Sequence, residues 1–139
     1  MAFISQRQFI VTVDGVGTAN KFMTKGGGSV SADSTKIYDG GSKTPAIITG
    51  ISEVENITVG RAFDTARDRA MLKDLRQKVG TFTTTIKVQE TDSEYAAVGN
   101  PVVYANAVLV GITEPEYDSG SGDPAMVELE FACVSVTQA

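Results

Sequence analysis

The sequence predicts a mainly β fold, either a β-sandwich or a curled antiparallel sheet, with one flanking α-helix. Two β-type runs near the C-terminus, at residues 102–112 and 126–136, are joined by a turn-rich loop and form a long hairpin at about 102–136. Each run exceeds the ~5–6 residues of an average strand. In the second run, apolar and acidic side chains alternate between opposite faces: Val127, Glu128, Leu129, Glu130 and Phe131.

The N-terminal half has a weaker pattern. Residues 9–13 alternate and end at a turn signal, which predicts a strand. Residues 16–42 are glycine-rich and poorly patterned, so we expect a long loop that is either functional or ordered by contact with a partner. Two short strands can pair inside this stretch, at 21–23 and 36–38. Residues 51–59 read as a further strand, but their alternation does not determine which end is buried.

One helix is predicted at residues 65–79. Asp64 or Thr65 is placed to cap its N-terminus, and Gly80 supplies a left-handed stop. Four apolar residues share one face: Met71, Leu72, Leu75 and Val79. Five basic residues lie on the other: Arg67, Arg69, Lys73, Arg76 and Lys78. The apolar stripe is typical of a helix that covers an open sheet.

After the helix the hydrophobic period changes to two, which predicts another strand. The apolar residues of this strand face the core: Phe82, Ile86 and Val88. The polar residues face outward: Thr81, Thr83, Thr85, Lys87 and Gln89.

Length and composition predict a single soluble domain at 1–139. Hydrophobic residues make up 42% and charged residues 21% of the 139-residue chain, as in globular proteins. No apolar stretch approaches the ~20 residues of a membrane span, and the first residues lack signal-peptide features, so we expect no membrane insertion and synthesis inside the cell. The net charge of −5 argues against binding of nucleic acid through its phosphates.

The charges are distributed unevenly along the chain. From residue 88 onward there are nine acidic residues and no lysine or arginine. Residues 61–78 instead carry six basic residues against three acidic ones. The two regions can meet within one molecule or between copies, or both can remain solvated.

No enzymatic site is predicted, and we expect no catalytic, cofactor-binding or metal-binding residues. Histidine, the usual general base and zinc ligand, is absent, and the lone Cys133 lies on the apolar face of its strand. The acidic turns at 90–94 and 118–123 lack the spaced ligands and distal glutamate of an EF-hand. The segment 25–29 has the residues of a phosphate cradle but not their order.

Several short motifs, taken in chain order, resemble one family. They are the strand and turn at 9–16, the Lys-Ile-Tyr-Asp-Gly-Gly segment at 36–41, the Ile-Thr-Val-Gly-Arg segment at 57–61, Tyr104 with Asn106 and Ala107, the Pro-Glu-Tyr-Asp segment at 115–118, and the final strand at 125–130. Together they resemble the tail tube proteins of bacteriophages with contractile tails and the related inner tubes of phage-like injection machines. The chain lacks the family's tryptophan near the helix, and its glycine-rich stretch before Ser42 differs from the corresponding family loop.

The resemblance implies a structural protein of the virion. Six copies would close into a ring-shaped multi-subunit β-barrel, and the rings would stack into a hollow tube that conducts DNA during ejection without specific binding. A contractile sheath, a baseplate and a terminator are the partners it implies, with assembly in the host cytoplasm. The loop at 16–42 would bridge adjacent rings, with Lys25, Lys36 and Tyr38 as its contact candidates.

Alternation, rather than the resemblance, selects the residues expected to line the lumen: Glu128, Glu130, Thr83, Thr85 and Lys87. A carboxylate wall would repel DNA phosphates. Lys87 is the exception, and we hypothesise that it pairs with a carboxylate of a neighbouring strand or subunit. The basic helix face would contact either an acidic neighbour or the sheath.

Alternative functions remain open on the sequence alone. The inner tube of an injection or secretion system, or a noncontractile tail, has the same architecture as a contractile tail tube. A soluble β-sandwich binding module is the alternative from a different class, although tryptophan is absent and only four tyrosines are available for an aromatic platform.

Overall fold

A computed structural model describes residues 3–17 and 20–138. Its strands are β1 (Phe9–Val13), β2 (Lys21–Phe22), β3 (Thr24–Gly27), β4 (Val30–Ser31), β5 (Ser34–Ile37), β6 (Ala46–Thr49), β7 (Glu53–Val54), β8 (Ile57–Ala62), β9 (Thr83–Glu90), β10 (Val102–Thr113), β11 (Met126–Ala132) and β12 (Ser135–Gln138). The helix α1 spans Thr65–Arg76. The prediction of a mainly β fold with one helix is confirmed.

Eight of the strands form one antiparallel sheet that curls until its margins meet. The strand order is β2-β1-β9-β10-β11-β8-β3, with β12 beside β10. The first and last strands of this order, β2 and β3, are separated in the chain only by Met23, whose N–H donates to the carbonyl of Gly60 at 2.8 Å. Because only one residue separates the two margin strands in the chain, the sheet is strongly curled and not a flat layer.

The C-terminal hairpin is the centre of this sheet. Strand β10 pairs with β9 along one edge and with β11 and then β12 along the other. Its register shifts twice, between Tyr104 and Ala107 and between Leu109 and Gly111, and Asn106 adopts a φ of 55° at the first irregularity. Bulges of this kind increase local twist, which bends a twelve-residue strand around a small core.

The concave side of the sheet holds the hydrophobic core. Val127, Leu129 and Phe131 are fully buried there, as their alternation predicted. From the helix, Met71, Leu72 and Leu75 also reach the core. The opposite, convex side of the curled sheet is called the outer face below.

The helix is shorter than predicted at its C-terminal end. Asp64 is the N-cap, and its carboxylate accepts from the N–H groups of Ala66 and Arg67. The helix ends at Arg76, so Val79 lies outside it and is 43% exposed rather than buried. The chain turns away because the Gly80 N–H, at a φ of 91°, donates to the Leu109 carbonyl of β10.

The long glycine-rich stretch does not form one loop. Its first part supplies β2 and β3 to the main sheet, so the prediction of a single loop at 16–42 is corrected; Thr18 and Ala19 lie outside the described residues. The segment that does project runs from 28 to 56 and contains only two small ribbons, β4 paired with β7 and β5 paired with β6. We call this segment the arm. The predicted strand at 51–59 is therefore divided between the arm and the buried β8.

Candidate assembly surfaces

All five residues that alternation selected lie on the outer face. Glu128 and Glu130 of β11 are exposed, as are Thr83 and Lys87 of β9, whereas Thr85 is half-buried. Their strands are brought side by side by β10, which pairs with both. The sheet therefore gathers these residues on one side of the subunit.

Each outer-face glutamate of β11 lies opposite a glycine. Glu130 pairs with Gly111 of β10, and Glu128 pairs with Gly60 of β8. A Cβ at Gly60 would come within 2.9 Å of the Thr24 hydroxyl and 3.1 Å of the Glu128 Cγ. Each carboxylate thus has a position free of side chains on one neighbouring strand, and a threonine on the other, Thr58 beside Glu130 and Thr113 beside Glu128. Any larger residue at Gly60 would displace Glu128.

The outer face also carries a basic row that the sequence did not reveal. Thr12 of β1 pairs with Lys87 on one side and with Lys21 of β2 on the other, so the two lysines share this face across a single threonine. In the described residues neither lysine forms an ion pair. The expected acidic surface is therefore mixed, with two glutamates on β11 and two lysines on β9 and β2.

The three residues expected in the inter-ring loop occupy different places. Lys36 of β5 and Tyr38 are exposed in the arm. Lys25 lies outside the arm, in β3, where its Nζ donates to the Gly27 carbonyl at 2.8 Å and sits 5.6 Å from the centre of the Tyr104 ring. Lys25 thus stabilises the base of the arm within its own chain.

A buried ion cluster joins the helix to the sheet, and the sequence analysis missed it. Arg61 of β8 is 1% exposed and Asp68 of α1 is fully buried, and the Arg61 Nη2 donates to the Asp68 Oδ1 at 2.6 Å. Arg67 donates to both carboxylate oxygens of Asp68 at 3.0 Å. The signal was available, because Ile57, Val59 and Arg61 alternate on the same buried face.

Opposing effects set the ionisation of this cluster. Burial disfavours the charged form of Asp68, but the hydrogen bonds from Arg67 and the Asp64 backbone, with the charge of Arg61, outweigh it and lower the pKa of Asp68. Burial also lowers the pKa of Arg61, although the charge of Asp68 acts in the opposite direction. The cluster is a structural ion pair inside the core.

The end of the sheet farthest from the arm is acidic. The loop after β10 and the start of β11 border a shallow groove, lined in part by Thr113, Glu114, Glu116, Asp123, Met126 and Glu128. We call it the acidic groove. One of its carboxylates is already engaged, because Arg76 of the helix forms a two-pronged ion pair with Glu114 at 2.6 and 2.7 Å. This pair lowers the pKa of Glu114, chiefly through the hydrogen bond.

The remaining basic residues of the helix border a second shallow groove. Arg69 and Lys73 line it together with Tyr117, which is 79% exposed. Arg67 and Lys78 are instead used within the subunit, by Asp68 and Asp74 respectively. The part of the predicted basic face that stays available to a partner is therefore Arg69 and Lys73.

Across residues 3–17 and 20–138, no group of three or more acidic, cysteine or histidine side chains is arranged to hold a metal ion. In the same residues, no helix has the length and apolar character to cross a membrane. The lone Cys133 is half-buried, and burial raises the pKa of its thiol.

Comparison with known proteins identifies the fold. The sequence matches no protein-family model and no curated protein. The structure is similar over 100% of its length to a chain in the sheath/tube terminator of the extracellular contractile injection system PVC in its extended state, with a TM-score of 0.82, 22% identity and 98% of that chain covered. It is also similar to a chain in the tube-terminating cap of the anti-feeding prophage, with a TM-score of 0.78, 18% identity, and 100% and 92% of the two chains covered.

A more distant likeness extends to Hcp1 from Flavobacterium johnsoniae, with a TM-score of 0.54, 14% identity, and 95% and 94% of the two chains covered. The chain therefore has the fold found in tube and terminator assemblies of contractile injection systems and in Hcp. The PVC and anti-feeding prophage matches cover the whole chain, so they include the strands, the helix and the arm.

Proposed function

We propose that this protein is the structural subunit of a hollow tube, in which copies close into rings and the rings stack end to end. The observation that carries the proposal is the match of the entire fold, arm included, to chains of sheath/tube terminator and cap assemblies. Six subunits per ring, as implied by the sequence resemblance, is part of the proposal. A non-enzymatic role fits the same likeness.

The arm supports assembly on physical grounds. Every residue of β5 and β6 is exposed, and a two-stranded ribbon without a packed face is only marginally stable in water. Such a segment gains a defined structure when a partner covers it. A stack of identical rings supplies that partner at every level.

The outer face of β9, β10 and β11 is the surface we propose for the lumen wall. Thr83, Thr85 and Lys87 on one strand, and Glu128 and Glu130 on another, would line the channel. Because both signs of charge occur on this face, DNA phosphates would meet a wall without a continuous basic patch, which disfavours binding of passing DNA.

Two settings use such a tube. One is the tail of a bacteriophage virion, assembled in the host cytoplasm, with a contractile sheath, a baseplate and a terminator as partners and DNA as cargo. The other is a phage-like injection system, and the chains named above, which come from the PVC and anti-feeding prophage particles, favour it. Analysis of particles purified from the native source for encapsidated DNA distinguishes them.

Negative-stain electron microscopy of the purified protein tests the proposal. We expect rings or hollow rods at micromolar concentration. Uniformly dispersed single subunits at all concentrations would contradict it and favour a soluble β-sandwich binding module. In a reconstruction of the rods, Glu128 and Glu130 are expected at the channel wall, and their placement on the outside would refute the lumen assignment.

A further inference from the structure

The basic row of the outer face spans three neighbouring strands. Thr12 of β1 lies directly opposite Lys21 of β2 on one side and Lys87 of β9 on the other. Neighbouring strands lie ~4.8 Å apart, so the Cα atoms of the two lysines are about 10 Å apart. Both lysines are exposed, and the threonine between them is half-buried. Two flexible ammonium groups and one hydroxyl can therefore converge on a single carboxylate above Thr12.

The basic row stands on a rigid base. The residues before and after Thr12 in β1 are fully buried. The carbonyl of Lys21 accepts from the Nη1 of Arg61 at 3.1 Å, and Asp68 holds that guanidinium in the core. The buried ion cluster thus fixes β2, a strand of only two residues, beside β1. Because the backbone is fixed from within, the spacing of the two lysines is set before any partner arrives.

In residues 3–17 and 20–138, no carboxylate forms an ion pair with the basic row. Asp14 follows two residues beyond Thr12, and Glu90 lies three residues beyond Lys87 but on the opposite side of β9 by alternation. The neighbours of the row on the outer face are uncharged: Ile10, Thr85, Gln89 and Val103. With Asp14 counted, two lysines against one aspartate leave one positive charge, in a chain whose net charge is −5.

The proposed channel determines what can reach the basic row. The outer face of β9 belongs to the surface proposed for the lumen wall, so an occupant of the row is carried inside the tube. A nucleic acid has a charge at every phosphate and would also meet Glu128 and Glu130 on the same face. A polypeptide can instead place carboxylates at the lysines and neutral or basic residues at the glutamates. The mixed charge of the outer face therefore favours an acidic polypeptide over a nucleic acid.

Repetition makes a weak site effective. A single exposed pair of opposite charges contributes little to binding. Closure of the subunits into a ring would repeat the basic row in every copy, at one level of the channel. Several such sites acting on one chain bind it far more tightly than any one of them alone.

We propose that Lys21, Thr12 and Lys87 form a carboxylate-binding site that retains an acidic polypeptide inside the tube. Each bound carboxylate accepts from the two ammonium groups and from the Thr12 hydroxyl. This inference rests on the proposed tube and on the assignment of the outer face to its lumen. It adds the chemical class of the cargo and the residues that hold it.

Fluorescein-labelled poly-L-glutamate is the probe for this site. Tubes are assembled in its presence and washed, and an anti-fluorescein antibody then quenches the label outside the channel, so the protected signal measures cargo inside. Lys21→Gln combined with Lys87→Gln should raise the probe concentration required for half-maximal protected signal at least about tenfold. Lys21→Arg combined with Lys87→Arg keeps both charges and should retain the probe like the wild type. Retention by the wild type should fall as salt is added.

Two further variants keep the test specific. Lys73→Gln is the matched control, because it removes an exposed lysine of the helix groove rather than of the outer face. It should leave the protected signal unchanged and lower only the signal that the antibody quenches. Lys21→Gln alone should raise the half-maximal probe concentration about threefold, and it serves as the test where loss of Lys87 impairs assembly.

The outcomes separate the two proposals. If the wild type forms no tubes under any condition, the proposed function itself fails. If the wild type forms tubes and the Lys21→Gln tubes protect as much poly-L-glutamate as the wild type at every probe concentration, the carboxylate site is wrong. A single-stranded oligonucleotide of equal charge that is protected as strongly as poly-L-glutamate would identify a nucleic acid as the ligand and overturn the assignment to a polypeptide.

Discussion

Lys87 and Glu130 lie at opposite ends of the same outer face. Lys87 is paired with Val103 of β10, and Glu130 is paired with Gly111, eight residues further along that strand. At ~3.3 Å per residue, this separation is about 26 Å before the bulges shorten it. A salt bridge between Lys87 and Glu130 within one subunit is therefore impossible, so these two residues can pair only between copies.

The first prediction concerns this charge separation. In the unassembled subunit, Lys87→Glu and Glu130→Lys should change the free energy of unfolding by less than about 0.5 kcal/mol each and add without coupling, because both side chains are solvated and far apart. Urea denaturation of the two single variants and the double variant measures this.

In assembled tubes the same variants should show coupling if Glu130 of one copy lies against Lys87 of another. Each single change should weaken assembly, and the double change should restore it. A double variant no better than the single variants in sedimentation of tubes would show that the two residues do not meet between copies.

The second prediction concerns the buried cluster. Asp68→Leu alone should lower the free energy of unfolding by about 3 to 5 kcal/mol, because it removes the carboxylate that faces the buried Arg61 charge. Arg61→Met alone should cost less, because Arg67 still donates to both oxygens of Asp68. The double variant Arg61→Met with Asp68→Leu should lose less than the sum, since apolar residues of similar volume fill the site. Additive losses in denaturant unfolding would indicate that the two residues act independently.

The third prediction is a pH dependence with a defined sign. The pKa of Asp68 is lowered in the folded state from an ordinary value of 3.8. The cluster therefore stabilises the fold fully above that value, and the stabilisation is lost as the pH falls through the lower folded pKa. The free energy of unfolding of the wild type, measured between pH 6 and pH 2, should fall more steeply with decreasing pH below about pH 4. Asp68→Asn should flatten this segment, and an unchanged pH profile would argue against the assignment.

The cluster also illustrates what sequence reasoning found and what it missed. Period-two alternation correctly placed Val127, Leu129 and Phe131 in the core, since a side chain on a strand has only two directions. The same rule places Arg61 on the buried face of β8 with Val59. A sequence-based reading does not expect an arginine in the core, however, because a buried charge requires a partner. That partner, Asp68, is supplied by a helix whose docking no local pattern encodes.

Closure of the sheet and the limits of the arm were similarly beyond local patterns. Strand β2 pairs with β1 and strand β3 pairs with β8, although only Met23 separates β2 from β3. The places of these two strands in the sheet therefore depend on contacts between residues 36 to 40 positions apart, such as Thr24 with Gly60 and Lys21 with Arg61. Glycine-rich chain offers no periodicity from which to infer such pairing. The helix start at Asp64 was predictable because capping is local.

The fourth prediction uses two adjacent glycines at the base of the arm. Gly27 has a φ of 77°, and a Cβ placed there would lie 2.0 Å from the carbonyl oxygen of Asn56, where the arm returns to the sheet. The neighbouring Gly26 has open space around it. Gly27→Ala must therefore move one strand of the arm, whereas the methyl group of Gly26→Ala would have no neighbouring atom within 4 Å.

We expect Gly27→Ala to lower the free energy of unfolding by about 1 to 3 kcal/mol through backbone strain, and to impair tube formation because the arm leaves the sheet at an altered angle. Gly26→Ala should change stability by less than about 1 kcal/mol and should assemble normally. Thermal unfolding and electron microscopy of the two variants provide the measurement. If Gly27→Ala and Gly26→Ala have the same stability and assemble alike, the close approach of Gly27 to Asn56 neither holds the arm in place nor directs it toward the next ring.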